Sequence, residues 1–233
     1  MISSPSRPAA EGLLARRTRF RRIAANFDCS IFTRGYIVGK LATDPAYAAV
    51  LRTFGGSELP LVDIGCGLGL LAHYLRGHGF RASIRGYDFD TRKIHMARGA
   101  AAKAGLNDVQ FEIGDAADHA PRTANIVLLD VLHYLDADTR KQLLTELAGH
   151  AQTGGAVLIR GAVRERSWRY RVTVAQEFWT RWSGWIPSPS PIAFPTLEEI
   201  VAPFHAAGCR CEVQPLWGRT PFNSRLIIAA TGS

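Results

Sequence analysis

The sequence predicts an α/β fold built on a mostly parallel, doubly wound sheet. Short apolar runs alternate with longer segments of helical periodicity, which is the pattern of strand–helix–strand units. One of these runs, at 61–64, leads directly into a glycine-rich turn and a helix, as the first strand of such a sheet does. The 233 residues, 47% of them hydrophobic, suffice for a sheet of seven strands with additional helices.

Three helices are predicted before the first strand. The segments with helical periodicity are Ala10–Ala25, Phe32–Leu41 and Asp44–Phe54. The third helix is opened by the sequence Thr43-Asp44-Pro45, with proline at a first-turn position. We therefore expect the chain to consist of a helical addition followed by the sheet.

The segment Leu61–Leu71 is the most informative part of the chain. A short apolar strand leads into three glycines spaced two apart, Gly65, Gly67 and Gly69. Glycine has no Cβ and tolerates positive φ, so this turn can approach a bound molecule closely, and the following helix directs its free N–H groups to the same place. A dinucleotide fingerprint would require glycine instead of Leu70, so the spacing disfavours a pyrophosphate site.

Aspartates follow three later strands. These strands are predicted at Ser83–Tyr87, Val109–Ile113 and Asn125–Leu129, with a helix at Thr91–Ala104 that has Thr91 as its N-cap. The residues that follow the strands are Asp88, Asp115-Ala116 and Asp130. A carboxylate in such a position accepts hydrogen bonds from ribose hydroxyls or an amine. The alternative is that each aspartate is a helix N-cap or a turn former.

A segment rich in aromatic residues follows the fifth strand, which is predicted at Thr153–Arg160. It contains four of the five tryptophans and the proline-rich sequence IPSPSP. Such aromatic residues are more often core than binding surface, but the sheet needs no further core here, so we interpret the segment as a lid over an apolar pocket. The remaining predicted elements are the helix Thr196–Ala207, the strands Arg210–Gln214 and Arg225–Ala230, and the linker Leu216–Asn223 between them.

The pattern Asp63-x-Gly65-x-Gly67-x-Gly69, with the aspartates after the later strands, resembles the class I S-adenosylmethionine-dependent methyltransferases over about residues 61–160. The resemblance implies that the glycine loop surrounds the methionine end of S-adenosyl-L-methionine, that Asp88 binds its ribose and that Asp115 accepts from the adenine amine. It also implies that the end of the fourth strand faces the acceptor. The cofactor-binding residues predicted in this way are Asp63, Gly65, Cys66, Gly67, Gly69, Asp88, Phe89, Asp115, Ala116 and Asp130.

The resemblance also implies the rest of the architecture. In this family the sheet has seven strands, the last of which is antiparallel, and the helices before the first strand cap the site. We therefore expect an N-terminal helical cap at 1–56 and a methyltransferase domain at 57–233, with the lid insertion at about 164–195. The linker before the last strand then lies at the same edge as the cofactor loops, and its pocket candidates are Trp217, Arg219, Phe222 and Asn223.

The acceptor is predicted to be a small aromatic or acyl molecule. After the fourth strand the chain lacks the D/N-P-P-Y/F/W sequence of nucleobase amino-methyltransferases and the Pro-Cys nucleophile of cytosine C5 enzymes. The sequences KLATDPAY, LLDVLHYL and TPFN, at 40–47, 128–135 and 220–223, resemble methyltransferases of aryl-polyene pigment pathways. That resemblance implies secondary metabolism and an acceptor delivered on an acidic acyl carrier protein. The alternatives are an RNA methyltransferase and a non-catalytic scaffold that binds the cofactor.

His133 and Tyr134 are the predicted catalytic residues. His133 lies at the substrate-facing end of the fourth strand, and the ordinary pKa of histidine suits removal of a proton from a phenol or hydroxyl acceptor near neutral pH. The alternative is that His133 only packs or hydrogen-bonds within its loop. We expect Tyr134 and Tyr36 to orient the acceptor, and no metal is implied.

Arginine dominates the charge of the chain. The formal net charge is +8, and only four of the 28 basic residues are lysine. Arginines cluster at 16–22 and at 160–171, and such clusters attract acidic partners, with a solvated helix face as the alternative. Four cysteines without paired or Cys/His spacing indicate neither a disulfide framework nor zinc. No membrane-spanning or signal-type segment is evident, which predicts a cytoplasmic protein.

Overall fold

A computed structural model describes residues 12–114, 123–182, 193–218 and 220–232. Three helices come first: α1 (Leu13–Ala25), α2 (Ile31–Thr43) and α3 (Pro45–Phe54). The parallel part of the sheet follows, with β1 (Leu61–Ile64), α4 (Leu70–Gly77), β2 (Ile84–Asp88), α5 (Thr91–Lys103), β3 (Val109–Ile113), β4 (Asn125–Leu129), a short 3₁₀ helix (Leu132–Tyr134), α6 (Ala137–Ala151) and β5 (Ala156–Ala162). The last elements are α7 (Trp168–Trp182), α8 (Leu197–Ala206), β6 (Cys209–Pro215) and β7 (Ser224–Thr231).

The strands form one seven-stranded sheet in the order β3-β2-β1-β4-β5-β7-β6. Strands β1 to β5 are parallel, whereas β7 runs antiparallel to both β5 and β6. The predicted mixed sheet with its antiparallel last strand is thus confirmed. The chain order reverses between β1 and β4, and a parallel sheet of this kind binds its ligands at the carboxyl ends of the strands beside that reversal.

Both faces of the sheet are buried, as expected for parallel strands with near-continuous apolar sequences. Alternate residues point to opposite faces. Leu61 and Val127 pack with α1 to α5, while Val62 and Ile126 belong to a second apolar cluster with α6 and α8. The three N-terminal helices therefore share one core with the first face of the sheet, and α3 brings its first turn to the carboxyl edge.

Two helices begin at aspartate N-caps that were not predicted from the sequence. The N-cap of α5 is Asp90 and not Thr91, because the Asp90 carboxylate accepts the backbone N–H groups of Arg92 and Lys93. Helix α6, which the sequence pattern did not indicate, begins at the N-cap Asp136, whose side chain accepts from the Thr139 N–H at 2.9 Å. In both cases a carboxylate close to a helix start satisfies N–H groups that have no partner within the helix.

None of the helices within the described part of the chain combines the length and the apolar character that a membrane span requires.

Candidate active site

The predicted site residues gather at the carboxyl edge of the sheet, because each follows or ends a parallel strand. Asp63 lies in β1, Asp88 ends β2 and Asp130 directly follows β4. The β6–β7 linker reaches the same edge, since Ser224 at the start of β7 pairs with Ala162 at the end of β5. Of the residues predicted from sequence, Asp115, Ala116 and Arg219 lie outside the described residues.

The glycine loop after β1 is held by backbone hydrogen bonds to the end of β2. The N–H groups of Gly65 and Cys66 donate to the Tyr87 carbonyl at 2.8 and 3.0 Å. The next N–H in the chain, that of Gly67, donates to Oδ2 of Asp88 at 2.8 Å. The loop is therefore preformed, with its conformation fixed by the neighbouring strand.

All three loop glycines have positive φ, at 74°, 54° and 70°, but their surroundings differ. A Cβ at Gly65 would collide with Val131, and one at Gly69 would collide with the ring of Phe111. At Gly67 the nearest atoms to a Cβ would be Oδ2 of Asp88 and Cδ of Lys93, both 4.0 Å away. Packing within the protein thus requires the outer glycines, whereas Gly67 borders a space that a Cβ would fill.

Asp88 joins the glycine loop to the turn after β2. Its Oδ1 accepts from the Asp90 N–H at 2.8 Å, while Oδ2 accepts from Gly67. A carboxylate oxygen has two lone pairs, so each oxygen can accept one further hydrogen bond. Beside it, the side chains of Phe89 and Ile113 are 73% and 47% exposed. An acceptor pair next to exposed apolar surface fits a ribose with an adjoining adenine ring.

Asp63 is the buried member of this group. It is only 3% exposed, and burial, reinforced by the charge of Asp88, raises the pKa of its carboxyl to about 8. A buried carboxyl is costly to ionise without a cation beside it. Asp63 is therefore suited to a cationic group such as the ammonium of the predicted cofactor.

Gly86 and Phe111 are site residues that the sequence interpretation missed. A Cβ at Gly86 would lie 2.7 Å from Cδ1 of Phe111 and 2.8 Å from Sγ of Cys66. Gly86 thus lets the loop cysteine pack onto β2, and Phe111 supports the loop from β3. The available signal was a glycine within a strand, which often marks such a close approach. Burial raises the pKa of the Cys66 thiol, as suits a packing residue.

A network of ion pairs joins the N-terminal helices to the ends of β4 and β5. It consists of Lys40, Asp44, Arg160 and Asp130, and we call it the four-residue network. Nζ of Lys40 lies 3.3 Å from Oδ2 of Asp44, and Nη2 of Arg160 lies 3.8 Å from Oδ1 of Asp44. Nη1 of Arg160 donates to Oδ2 of Asp130. Asp44 also caps α3, so one carboxylate fixes a helix start and two cations.

The opposite charges of Asp44 and Lys40 stabilise each other. Burial by itself would raise the pKa of Asp44, but the nearby Arg160 and Lys40 outweigh it and the pKa is lowered. Burial would likewise lower the pKa of Lys40, yet Tyr47, Tyr36 and Asp44 together raise it. Asp44 and Lys40 are therefore both charged at neutral pH, although the side chain of Asp44 is only 9% exposed.

His133 lies in the short 3₁₀ helix after β4 and is 3% exposed. Its ring centroid is 4.0 Å from that of Tyr134 and 5.2 Å from that of Phe194. Burial lowers the pKa of His133 to about 4, so its imidazole is neutral at pH 7. The rings of His133 and Tyr134, which are neighbours in sequence, are thus in contact, and the ring of Phe194 stacks on His133.

Helix α7 is attached to the β6–β7 linker. The guanidinium of Arg169 lies 4.7 Å from the ring centroid of Trp168 and 4.4 Å from that of Trp217, and it donates to the Thr220 carbonyl at 2.8 Å. One turn on, the backbone N–H of Asn223 donates to the Thr173 hydroxyl at 2.9 Å. The two segments predicted to enclose the acceptor are therefore in contact at the start of α7.

Residues 61–155 match the model of a family described as a methyltransferase domain. A comparison with curated proteins found no match. The matched residues include the glycine loop, Asp88, Asp130 and His133, which are the parts of the site that were predicted from sequence.

Several solved structures share the fold. The chain is 19% identical to the pyocyanin biosynthetic protein PhzM, with a TM-score of 0.64 over 91% of this chain and 62% of that chain. It is 19% identical to magnesium protoporphyrin IX methyltransferase (ChlM) from Synechocystis PCC 6803 with bound SAH, with a TM-score of 0.63 over 92% and 93% of the two chains. It is 18% identical to the mitomycin 7-O-methyltransferase MmcR, with a TM-score of 0.64 over 86% of this chain and 56% of that chain.

This chain spans less than two thirds of PhzM and of MmcR, and at these identities the likeness concerns the fold. The fold is that of the Rossmann-like methyltransferases. The family match assigns residues 61–155 to a methyltransferase domain, and the cofactor that the sequence predicts for this domain is S-adenosylmethionine. The space beside Gly67 and the acceptor atoms of Asp88 fit that cofactor.

Proposed function

We propose that this chain is an S-adenosylmethionine-dependent methyltransferase that modifies a small aromatic or acyl acceptor in secondary metabolism. The observation that carries the proposal is the surface next to the cofactor edge, where the exposed or half-exposed aromatic residues Tyr36, Trp168, Tyr170 and Trp217 come from three different segments. Aromatic side chains of this kind line pockets for flat or apolar small molecules. The names of two structural neighbours, a pyocyanin biosynthetic protein and a mitomycin 7-O-methyltransferase, support the same class of acceptor.

We propose the following roles for the cofactor residues. The Asp88 carboxylate holds the ribose, Phe89 and Ile113 border the adenine, and Asp63 faces the ammonium of the methionine end. Because Asp88 also holds the backbone of Gly67 and Asp90, its loss should weaken both the loop and the affinity for the cofactor. The full set is Asp63, Gly65, Cys66, Gly67, Gly69, Asp88, Phe89, Asp115, Ala116 and Asp130.

The reaction requires little covalent chemistry from the chain. S-adenosylmethionine supplies an activated methyl group on a sulfonium. The glycine loop and the ends of β1, β2 and β4 fix its position, and the aromatic segments align the acceptor and exclude water. Positioning of this kind contributes up to about 7–11 kcal/mol in favourable cases.

We propose His133 as the base that accepts the acceptor proton. Its neutral imidazole is in the required state at pH 7, and with a pKa of about 4 its contribution to turnover should be constant above about pH 5 instead of rising near pH 6.5. The alternative, that His133 only packs, is supported by its contacts with Tyr134 and Phe194. His133→Phe retains an aromatic ring without the nitrogens. A loss of turnover of about 10²–10⁴-fold at unchanged cofactor affinity supports the base, and near-normal turnover supports packing.

The finer proposal is an acceptor carried by an acidic acyl carrier protein, as in aryl-polyene pathways. Its support is the KLATDPAY sequence, in which Lys40 and Asp44 belong to the four-residue network and Tyr47 is buried beside them. The exposed arginines of α1, among them Arg17 and Arg21, supply a basic surface for such a carrier.

The test begins with the cofactor and continues with the acceptor. In isothermal titration calorimetry, S-adenosylhomocysteine (SAH) should bind and NAD should not; tighter binding of NAD would overturn the proposal. The enzyme is then incubated with S-adenosylmethionine and a panel of phenols, acyl thioesters, carrier-bound acyl groups and RNA. Preferential methylation of RNA would favour the nucleic-acid alternative. Cofactor binding without product from any acceptor class would favour a scaffold.

A further inference from the structure

The four-residue network has a graded exposure. The side chains of Arg160 and Asp44, which are central, are 10% and 9% exposed. Those of Lys40 and Asp130, at the two ends, are 32% and 33% exposed. The network therefore leaves one cation, Lys40, and one anion, Asp130, partly exposed at the surface of the site.

The network lies on the methionine side of the glycine loop. Val131, the neighbour of Asp130, is in contact with the position of Gly65. The charges of Lys40 and of Asp63 in β1 both act on the pKa of the buried Tyr47 hydroxyl, so both groups lie near it. Phe89 directly follows β2 and Ile113 ends β3. Both residues, which border the adenine in the proposed function, therefore lie on the opposite side of β1. The charged ends of the network thus lie at the end of the site that is away from the adenine.

Arg160 fixes the conformation of Asp130. Asp130 has a φ of 61°, the only positive value of a non-glycine residue among the described residues. A left-handed conformation is unfavourable for a residue with a Cβ, and it persists where the surroundings enforce it. Here the Asp130 N–H donates to the Arg160 carbonyl at 2.8 Å, and the Asp130 carboxylate accepts from the Arg160 guanidinium.

We propose that the four-residue network receives the zwitterionic amino-acid end of the cofactor, with Lys40 binding the carboxylate, Asp130 facing the ammonium together with Asp63, and Arg160 positioning both. The proposal rests on the proposed cofactor site. Lys40, Asp44 and Arg160 all lie outside the residues that match the methyltransferase family. An α-amino acid carries one positive and one negative group, which is the pair of charges that the network leaves accessible.

Two ligands test this proposal without an acceptor. SAH and 5′-methylthioadenosine share the adenosine and the thioether, but only SAH carries the amino acid. Calorimetry should show that Lys40→Met and Arg160→Met each lower the affinity for SAH by about ten- to a hundredfold. This is the loss expected for hydrogen bonds to charged groups. The affinity for methylthioadenosine should change less than about twofold. Equal weakening of both ligands, or unchanged SAH affinity in Lys40→Met, would overturn the proposal.

Two further variants separate positioning from general stability. Asp130→Gly keeps the left-handed backbone, which glycine adopts readily, but removes the carboxylate. It should lower the affinity for SAH and leave that for methylthioadenosine unchanged. This variant tests the proposal even where Arg160→Met does not fold. Arg225→Met is the matched control, because Arg225 in β7 forms an ion pair with Glu165 at 2.8 Å outside the network. It should leave both affinities unchanged. If the wild-type chain binds neither ligand, the proposed cofactor site itself is wrong, which is a different outcome.

Discussion

At the scale of single residues, burial changes the chemistry of the side chains that the sequence identified. Asp63 and His133 both appeared as polar residues at strand ends, and both are buried to within a few per cent. Because burial disfavours the charged form, it raises the pKa of Asp63 and lowers that of His133. Both side chains are therefore neutral at mildly acidic pH, and their protonation can be tested through the pH dependence of stability.

Asp63→Asn should flatten the pH dependence of stability. The folded-state pKa of Asp63, about 8, lies above its ordinary value of 3.8, so the folded chain binds a proton that the unfolded chain has lost. Its contribution to the free energy of unfolding is full below pH 3.8 and falls as the pH rises to about 8. Calorimetric unfolding of the ligand-free protein should give Asp63→Asn a higher Tm than the wild type at pH 8, and a smaller difference at pH 5.

Asp138→Asn is the control, because Asp138 is exposed in the first turn of α6. It should follow the wild-type pH dependence. The same dependence in Asp63→Asn would show that the buried carboxyl is ionised in the folded chain. Asp63→Asn should also bind SAH more weakly, since an amide cannot neutralise an ammonium.

At the scale of elements, the glycine loop is fixed before any ligand arrives. The end of β2 holds it through the Tyr87 carbonyl and the Asp88 carboxylate, while the side chains of Val131 and Phe111 occupy the space beside its outer glycines. A preformed loop binds its ligand without a further cost of ordering.

Gly67→Val should abolish SAH binding while the chain remains folded. The side chain would enter the open space beside Asp88, and the left-handed conformation at φ 54° would cost about 1–2 kcal/mol or more. Gly79→Val is matched to it, because Gly79 has a φ of 90° and no atom within 4 Å of a Cβ. Thermal unfolding should show a similar loss of stability in both variants, and calorimetry a loss of SAH binding only in Gly67→Val. Retained binding in Gly67→Val would place the cofactor elsewhere.

Arg169→Ala should loosen the start of α7. Its guanidinium lies between two tryptophan rings and donates to the linker, contacts that together contribute about 2–4 kcal/mol at a partly buried position. Hydrogen exchange of amides 168–176 should quicken by about tenfold or more. Arg171→Ala, an exposed position in the same helix, should leave exchange unchanged. Equal exchange in the two variants would show that Arg169 does not hold the lid helix.

At the scale of the whole molecule, the excess of arginine is only partly a surface property. In α1, Arg16 donates to the Ala42 carbonyl at 3.0 Å and so ties α1 to the end of α2. Arg17 and Arg21 are exposed on a helix without acidic residues in its first turn. The arginine cluster therefore contains both structural residues and residues available to an acidic partner.

The double variant Arg17→Glu/Arg21→Glu should separate the structural role of the α1 arginines from a role in binding an acidic partner. Both positions are exposed, so we expect the Tm and the affinity for SAH to remain close to wild type. Affinity for an acidic acyl carrier protein, measured by calorimetry, should fall, and the difference from wild type should shrink as ionic strength rises from about 0.05 to 0.3 M. Arg16→Glu should instead lower the Tm. Unchanged carrier affinity in the double variant would exclude α1 as the carrier surface.

The sequence by itself determined the sheet and the glycine loop, and it predicts the class of cofactor. Strands, glycines and the aspartates that follow strands are local patterns, and their order along the chain is enough to place them at one edge of a parallel sheet. Helix starts were harder to predict, because several neighbouring polar residues can cap the same turn. The N-cap of α5 is Asp90 and not the adjacent Thr91, and α6 was not predicted. The segments at 115–116 and 183–192, which carry further predictions, lie outside the described residues.

Only the tertiary structure decided which side chains act together. Lys40 and Asp44 are four residues apart, but Asp130 and Arg160 lie up to 120 residues away from them in sequence, and no local pattern relates the two pairs. The packing of α2 and α3 onto the ends of β4 and β5 makes them one network. Tertiary structure also decided the protonation of Asp63 and His133, because a pKa depends on burial and on neighbouring charges, which come from other elements of the fold.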